Sequence, residues 1–298
     1  MGPRVKPGDD KEKMTSDPEN TIAFMGIEGA NADLACRQAH PYLHTLPCPS
    51  FEDVFEAVAR GKAALGMIPI ENSQAGRVAE IHQILPRTNL HIVGEYFQKI
   101  EHVLAAPKGA SLKTVKDVYS HPQGLMQCRK RLLEMKVATH AWSNTAQAAA
   151  DVAQWKDVSK AAVCSPLAAE LYGLEVLKKH FQDSDDNVTV FVVIAREPAD
   201  PDPEKEAKIL TTLLFTVRNI PAALYKALGG FATNGVNLLK LESYIPGGTK
   251  KDAAQFFITF EGNPRDRAVQ LALEELGFFC KKVQVLGVYP ADPKRYEG

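Results

Sequence analysis

The sequence predicts an α/β protein built in two parts, and three observations carry that prediction. Strand-like and helix-like segments alternate through the first two thirds of the chain, the pattern of layered α/β folds. Arg196 to Ala207, REPADPDPEKEA, has three prolines, several acids and no apolar period, which is linker composition. Beyond it the order changes to βαββαβ. A length of 298 residues also exceeds the usual ~100–200 residues of one domain.

Taken in order, TIAFMG reads as a strand and ANADLACRQAH as a helix. FEDVFEAVARG places Phe51, Val54, Phe55 and Val58 on one helical face. ALGMIPI is a nearly continuous apolar strand, as expected when both faces are buried. AEIHQIL reads as helix, then HIVGEYF and EHVLAA as strands. VKDVYS is a strand that feeds one helix, PQGLMQCRKRLLEM. TAQAAADVAQW and PLAAELYG are helices around the strand AAVCS, and NVTVFVVIA closes the first part as a strand. After the linker, KILTTLLFTV is a strand and Pro221 opens the helix AALYKALGGFATNG. VNLLKLESYI and AQFFITFEG form a hairpin around PGGTKKD. PRDRAVQLALEELG is a helix with Pro264 near its first turn and Gly277 at its end, and FFCKKVQVLGVYP is the last strand. That order is the ferredoxin-like plan, common in small regulatory modules.

Composition excludes several classes. Hydrophobic residues make up 45% and charged residues 24%, enough apolar material for real cores. Lys+Arg number 35 against 36 Asp+Glu, so no basic excess exists to grip nucleic acid. No apolar run approaches the ~20 residues of a membrane helix. The first twenty residues are polar, without a secretory h-region, and read as a mobile tail or partly as a start upstream of Met14. Five cysteines, none in a C-x-x-C pair, fit a reducing cytoplasm. His40 and His44 lack a third ligand, so a zinc site there is not expected.

Polar residues gather where strands run into helices. Gly26–Ala30 offers a tight βα turn with amides for an anion, or a plain turn. Glu71-Asn72-Ser73 follows a buried strand directly, and Arg77 adds a cation suited to a carboxylate. Ser120-His121-Pro122-Gln123 repeats the arrangement, with Gln127 one turn on. Asn144 and Thr145 precede another helix. Thr189 is a lone hydroxyl in the apolar strand that includes Phe191. No G-x-S-x-G, H-E-x-x-H or cysteine nucleophile context is present. Neutral donors with an occasional Arg suit a small organic anion that is itself reactive.

These segments together resemble prephenate dehydratase. The matching stretches are the Gly26–Ala30 loop, GMIPIENSQAGRV, SHPQGLMQC, NTAQAAA, AAVCSPLAAELYGL and NVTVF. The second part resembles the phenylalanine-binding ACT module of this family, through IPAALYKALGGFATNGVNLLKLESY. The resemblance implies a two-lobed, periplasmic-binding-protein-like catalytic domain over residues 21–196, a linker at 197–206 and an ACT domain at 207–291. It implies cofactor-free conversion of prephenate to phenylpyruvate in an interlobe cleft. Thr189 occupies the place of the family's essential threonine. Asn72, Ser73, Arg77, Gln123, Gln127, Asn144, Thr145 and Phe191 fall in the matching substrate motifs. Pro221, Ala222, Ala223, Leu224, Asn237, Glu242 and Ser243 fall in the effector motifs, which implies L-phenylalanine as allosteric ligand and a homodimer or homotetramer. Val190 stands where the family usually has Arg, Ala32 where Ser or Thr is common, and Asn144 where Asp is common. Two alternatives stay open: arogenate as substrate, or a catalytically weakened sensor of amino or keto acids.

Overall fold

The computed structural model describes residues 17–202, 204–206, 208–245 and 254–297. The PGGTKKD turn and residues 1–16 of the expected tail lie outside the described residues. Residues 17–20 of that tail form a 3-10 turn, capped by the Asp17 carboxylate accepting from the Glu19 amide.

The first lobe is built on β1 (Thr21–Met25), β2 (His44–Cys48), β3 (Leu65–Asn72), β5 (His91–Lys99) and β11 (Val188–Ala195). β1 runs parallel to β2 and β3, while β11 lies antiparallel between β3 and β5. Both faces are covered, which is why these strands read as unbroken apolar runs. Ile22, Phe24 and Met67 pack with Ala35 and Cys36 of α1 (Asn31–Ala39). Ala23 and Ile68 face Val54, Phe55 and Val58 of α2 (Phe51–Ala59).

The chain crosses to a second lobe after β5 and returns before β11. That lobe is a five-stranded sheet in the order β10 (Glu175–Lys178), β6 (Val103–Ala106), β9 (Lys160–Cys164), β7 (Asp117–Ser120), β8 (Ala138–Ala141). The two crossings are stitched together: the Ile100 amide donates to the Asn187 carbonyl at 2.8 Å, and the Phe181 amide to the His102 carbonyl at 2.7 Å. The result is two α/β lobes with a cleft between them.

After the linker come β12 (Ile209–Val217), α8 (Ala223–Thr233), β13 (Leu238–Tyr244), β14 (Gln255–Glu261), α9 (Arg267–Phe279) and β15 (Cys280–Pro290). Their order β13-β14-β12-β15 realises the expected βαββαβ plan. Leu213, Phe215, Ile258 and Phe260 meet the two helices on one face. Leu210, Leu214, Phe257, Leu286 and Tyr289 meet the first lobe on the other. β15 also pairs with β5, Gly287 opposite Ile92, so one ten-stranded sheet runs through both units. A Cβ at Gly287 would collide with the Ile92 carbonyl oxygen, and only glycine permits that approach.

Several local readings differ from the sequence expectation. β2, β8 and β10 carried no strand signal because they are sheet edges with half-exposed, non-alternating side chains. AEIHQIL shortens to α3 (Ile81–Ile84) and a 3-10 turn containing Pro86. The single helix expected at 122–135 breaks at Cys128 into α4 (Pro122–Gln127) and α5 (Arg129–Met135). α9 starts at Arg267, so Pro264 lies in the turn before it and Gly277 inside its last turn.

Candidate active site

The interlobe cleft, of about 300 Å³, is lined by Asn72, Arg77, Thr189 and Asn187 from the first lobe side and by Gln123, Gln127, Asn144 and Thr145 from the second. Three helices begin at it. Asn31 opens α1, Gln123 lies in the first turn of α4, and Thr145 opens α6 (Thr145–Trp155). Helix N-termini carry partial positive charge and free amides, so the cleft favours anions although Arg77 is the only lysine or arginine among the described lining residues.

Asn72 is the hub. Its Nδ2 donates to Thr189 Oγ1 at 2.9 Å and Asn187 Oδ1 at 2.8 Å. Its Oδ1 accepts from the amides of Gln74 (3.1 Å) and Ala75 (2.9 Å), which turns the chain out of β3. The Asn72 amide is thus spent on holding its neighbours. Because Thr189 Oγ1 already accepts from Asn72, its own O–H is left to donate into the cleft.

Ser73 is a clamp and does not line the cleft. Its Oγ donates to the Asp186 carbonyl at 2.8 Å and accepts from the Val188 amide at 3.0 Å, pinning the start of β11. Arg77 projects from the short strand β4 (Gly76–Arg77) and donates from Nη1 to the Ser243 carbonyl of the C-terminal unit at 3.1 Å. Asn144 caps α6, its Oδ1 accepting from the Gln147 amide at 2.6 Å. His121 caps α4 in the same way through Nδ1. Phe191 is buried beneath α1, away from the cleft. The Gly26–Ala30 loop lies at the lobe junction. The Gly29 amide donates to Asp33 and its carbonyl accepts from Ser165, so those groups serve packing, not a ligand.

Three polar cleft residues, Asn31, His102 and Asn187, escaped the sequence reading. His102 is buried at the crossing, its Nε2 2.8 Å from Gln127 Oε1 and its amide donating to Gln182 Oε1. Burial pushes its pKa below the ordinary imidazole value, an effect that the Gln127 bond partly offsets. Asn187 is buried as well, its carbonyl accepting from the Ile100 amide at the same crossing. A lone His in EHVLAA gives no sequence signal. The five cysteines are free and buried, and burial raises their pKa values, to about 12 for Cys128 and Cys164, so none is a ready thiolate.

Of the effector candidates, Pro221 and Ala222 are exposed before α8, Ala223 is buried, and Leu224 packs on the helix side of the sheet. Ala222 holds a left-handed φ of 58°, unusual for a residue with a Cβ. Asn237 is exposed just before β13. Glu242 lies on the other side of the sheet, facing the first lobe, where its Oε2 is 2.9 Å from His82 Nε2 and its Oε1 3.1 Å from Lys240 Nζ. Within one chain the structure does not bring these seven residues together.

A cleft of helix N-termini and neutral donors between two α/β lobes suits a small organic anion. The prephenate dehydratase family profile matches residues 22–199. A bifunctional N-acyl-homoserine lactone acylase/prephenate dehydratase of Komagataeibacter europaeus is 46% identical, the match covering 93% of this chain and 98% of that protein. Arogenate dehydratase/prephenate dehydratase 2 of Arabidopsis thaliana is 36% identical over 94% of this chain and 75% of its own. Among solved structures, a prephenate dehydratase of Arthrobacter aurescens in complex with L-Phe aligns with TM-score 0.82 and 30% identity, covering 91% and 89% of the two chains. A quorum-quenching acylase, GqqA, aligns with TM-score 0.86 and 45% identity, covering 92% and 99%. The chain belongs to the prephenate dehydratase family, and its class of chemistry is that of a dehydrating lyase.

Proposed function

We propose that the cleft converts prephenate to phenylpyruvate by decarboxylating dehydration, and that the Asn72–Thr189 hydrogen bond is the observation that carries this reading. Prephenate has two carboxylates, a keto group and a ring hydroxyl. Cleavage of the ring C–carboxylate bond supplies the electron pair that completes the aromatic ring and expels the hydroxyl oxygen. Carbon dioxide leaves, and the oxygen needs one proton to leave as water. Thr189 is oriented to donate that proton and to recover one from solvent. A hydroxyl is a weak acid, so its value lies in position within a partly dry cleft. Arg77 and the starts of α1, α4 and α6 balance the carboxylates, and Gln123, Gln127 and Thr145 orient the ring. Arogenate, the amino analogue, would meet the same groups, and nothing in the cleft favours it.

We assign residues 21–196 to the catalytic unit, 197–206 to the linker and 207–291 to an ACT regulatory unit. In this reading L-phenylalanine binds between ACT units of two chains, in a homodimer or homotetramer. Pro221–Leu224, Asn237 and Ser243 would supply contacts, with Glu242 acting from the far side of the sheet. β13 is an edge of the sheet with Leu241 and Ile245 exposed, a surface suited to a second copy. The enzyme would work in the cytoplasm. Among the described residues, no helix is long and apolar enough to cross a membrane.

The test is steady-state turnover of prephenate, read as phenylpyruvate, with and without phenylalanine, for the natural chain and for Thr189→Ala. The natural chain is expected to turn over and to respond to phenylalanine. Thr189→Ala is expected to lose roughly 10²–10⁴-fold in kcat while remaining folded. Near-normal turnover by a folded Thr189→Ala sinks the assigned role.

The Komagataeibacter relative, which this chain matches over 98% of its length, is named for a second activity, N-acyl-homoserine lactone acylase, beside prephenate dehydratase. We infer that N-acyl-homoserine lactones are worth offering as substrates. Release of free homoserine lactone is the readout, and its absence at high enzyme concentration rejects this second reading.

A further inference from the structure

His102 and Asn187 share an unusual condition. Both line the cleft, and they are 2% and 1% exposed. His102 Nδ1 and Asn187 Nδ2 are each fully buried without a hydrogen-bond partner among the described residues. Orphaned buried polar atoms are costly, so their persistence in a cleft points to a ligand.

The polarity of each atom is set by its neighbours. The amide oxygen of Gln127 only accepts, so the His102 Nε2 facing it at 2.8 Å carries the ring hydrogen. Burial keeps the ring neutral near physiological pH, which leaves Nδ1 as a bare acceptor. Asn187 Oδ1 already accepts from Asn72 Nδ2 at 2.8 Å, so its Nδ2 is the free end and a donor. Their backbones are held close, because Ile100, two residues before His102, donates its amide to the Asn187 carbonyl.

An acceptor of this kind selects among the groups of the substrate. The carboxylates and the keto oxygen of the prephenate dianion accept hydrogen bonds and donate none, so each would repel the Nδ1 lone pair. The ring hydroxyl is the only donor that the dianion has. We propose that His102 and Asn187 form the seat of this departing hydroxyl, with His102 Nδ1 accepting its hydrogen and Asn187 Nδ2 donating to its oxygen. The assignment rests on prephenate as substrate. Thr189, two residues from Asn187, then delivers the proton as the C–O bond breaks with its electron pair on oxygen. The water formed keeps both hydrogen bonds until it leaves. His102 transfers no proton in this scheme; it fixes which way the hydroxyl points.

Two substitutions separate this role from packing. In His102→Asn an acceptor oxygen stays near the place of Nδ1, while the reach to Gln127 is lost. In His102→Gln the reach to Gln127 stays, while the Nδ1 acceptor is lost. With prephenate, the Asn variant is expected to keep kcat/KM within about tenfold of the natural chain, and the Gln variant to lose roughly 100-fold. Phenylpyruvate has no ring hydroxyl, so it is expected to inhibit all three proteins equally. A Gln variant as active as the Asn variant overturns the proposal, as does a loss of phenylpyruvate inhibition that tracks the loss of kcat/KM. Should the His102 variants fail to fold by thermal melting, Asn187→Asp keeps the acceptor for Asn72 and removes the donor. Unchanged kcat/KM in that variant overturns the seat. The natural chain is the separate control: absence of turnover on prephenate there rejects the substrate, and the seat with it.

Discussion

Glu71 and Asn72 are neighbours on β3 that serve opposite faces of the sheet. Asn72 Nδ2 donates to Thr189 Oγ1 at 2.9 Å in the cleft, while Glu71 Oε2 accepts from Lys240 Nζ at 2.7 Å on the C-terminal unit. One peptide bond therefore separates the cleft hub from the contact with β13. Lys240 also meets Glu242, and Glu242 meets His82, whose Nδ1 lies 3.2 Å from the Val78 carbonyl just beyond Arg77. Both ends of the 71–78 segment are thus tied to β13.

Lys240→Met is expected to loosen that segment. It removes the cation between two carboxylates and leaves Glu71 and Glu242 facing each other. Glu71 is half-exposed, so solvent absorbs part of the loss, and the destabilisation should be about 1–2 kcal/mol. The effect on the cleft should be a fall in kcat/KM of about three- to thirtyfold, the range for residues that couple two sites without touching ligand. Lys240→Arg should restore most of it. Steady-state kinetics with thermal melting checks both, and unchanged kinetics in Lys240→Met would detach β13 from the cleft.

Glu242 should contribute to acid sensitivity. Burial alone would raise its pKa, but the His82 contact and the Lys240 charge outweigh that and hold it at about 2, against an ordinary 4.5. A carboxyl depressed in the folded state stabilises the fold above its unfolded pKa. That contribution is lost as pH falls from 4.5 toward 2. The melting temperature of the natural chain minus that of Glu242→Gln should therefore be constant above pH 5 and shrink below about pH 4. A difference that does not change with pH would show that the carboxylate charge is unimportant.

Gly287→Ala tests the continuity of the sheet. The added Cβ meets backbone, the Ile92 carbonyl, and backbone cannot rotate away as a side chain would. A loss of roughly 3 kcal/mol is expected, at the upper end for overpacking. Chemical denaturation measures it. A loss below ~0.5 kcal/mol, the range of neutral surface changes, would mean that β15 and β5 separate readily.

The strength of the sequence signal followed burial. Strands buried on both faces, such as β3 and β11, announced themselves as apolar runs, and the polar residues at their ends marked the cleft. Edge strands with half-exposed faces, such as β8, gave no period to read. Asn72, Arg77, Gln123, Gln127, Asn144, Thr145 and Thr189 do converge on the cleft, because strand ends and helix starts share one side of an α/β layer. His102 was invisible because its place in the cleft depends on a crossing that brings residues 100–102 against 181–187, and no local pattern encodes that contact. Ser73 and Phe191 sat inside the right motifs, yet their side chains serve the frame.

Val190 has a different meaning in the structure from the one its motif position suggests. Strand alternation sends Thr189 to the cleft and Val190 to the opposite face, where it stands across from Glu71 and packs with the core shared by the first lobe and β13. An arginine at this position would reach Glu71 and Lys240, not the substrate. Val190→Arg should therefore leave KM for prephenate within about threefold, because no cleft contact changes. It should cost about 1–3 kcal/mol, since a longer, charged side chain enters packed apolar surroundings beside an existing lysine. The charge at Lys240 already satisfies Glu71, so a second cation brings repulsion without a new partner. Pairing the substitution with Lys240→Met should recover part of the lost stability, as the arginine takes over Glu71. A double-mutant cycle of melting free energies reads that coupling. A tenfold or greater gain in kcat/KM from Val190→Arg alone would place position 190 in the cleft and contradict this reading of the strand.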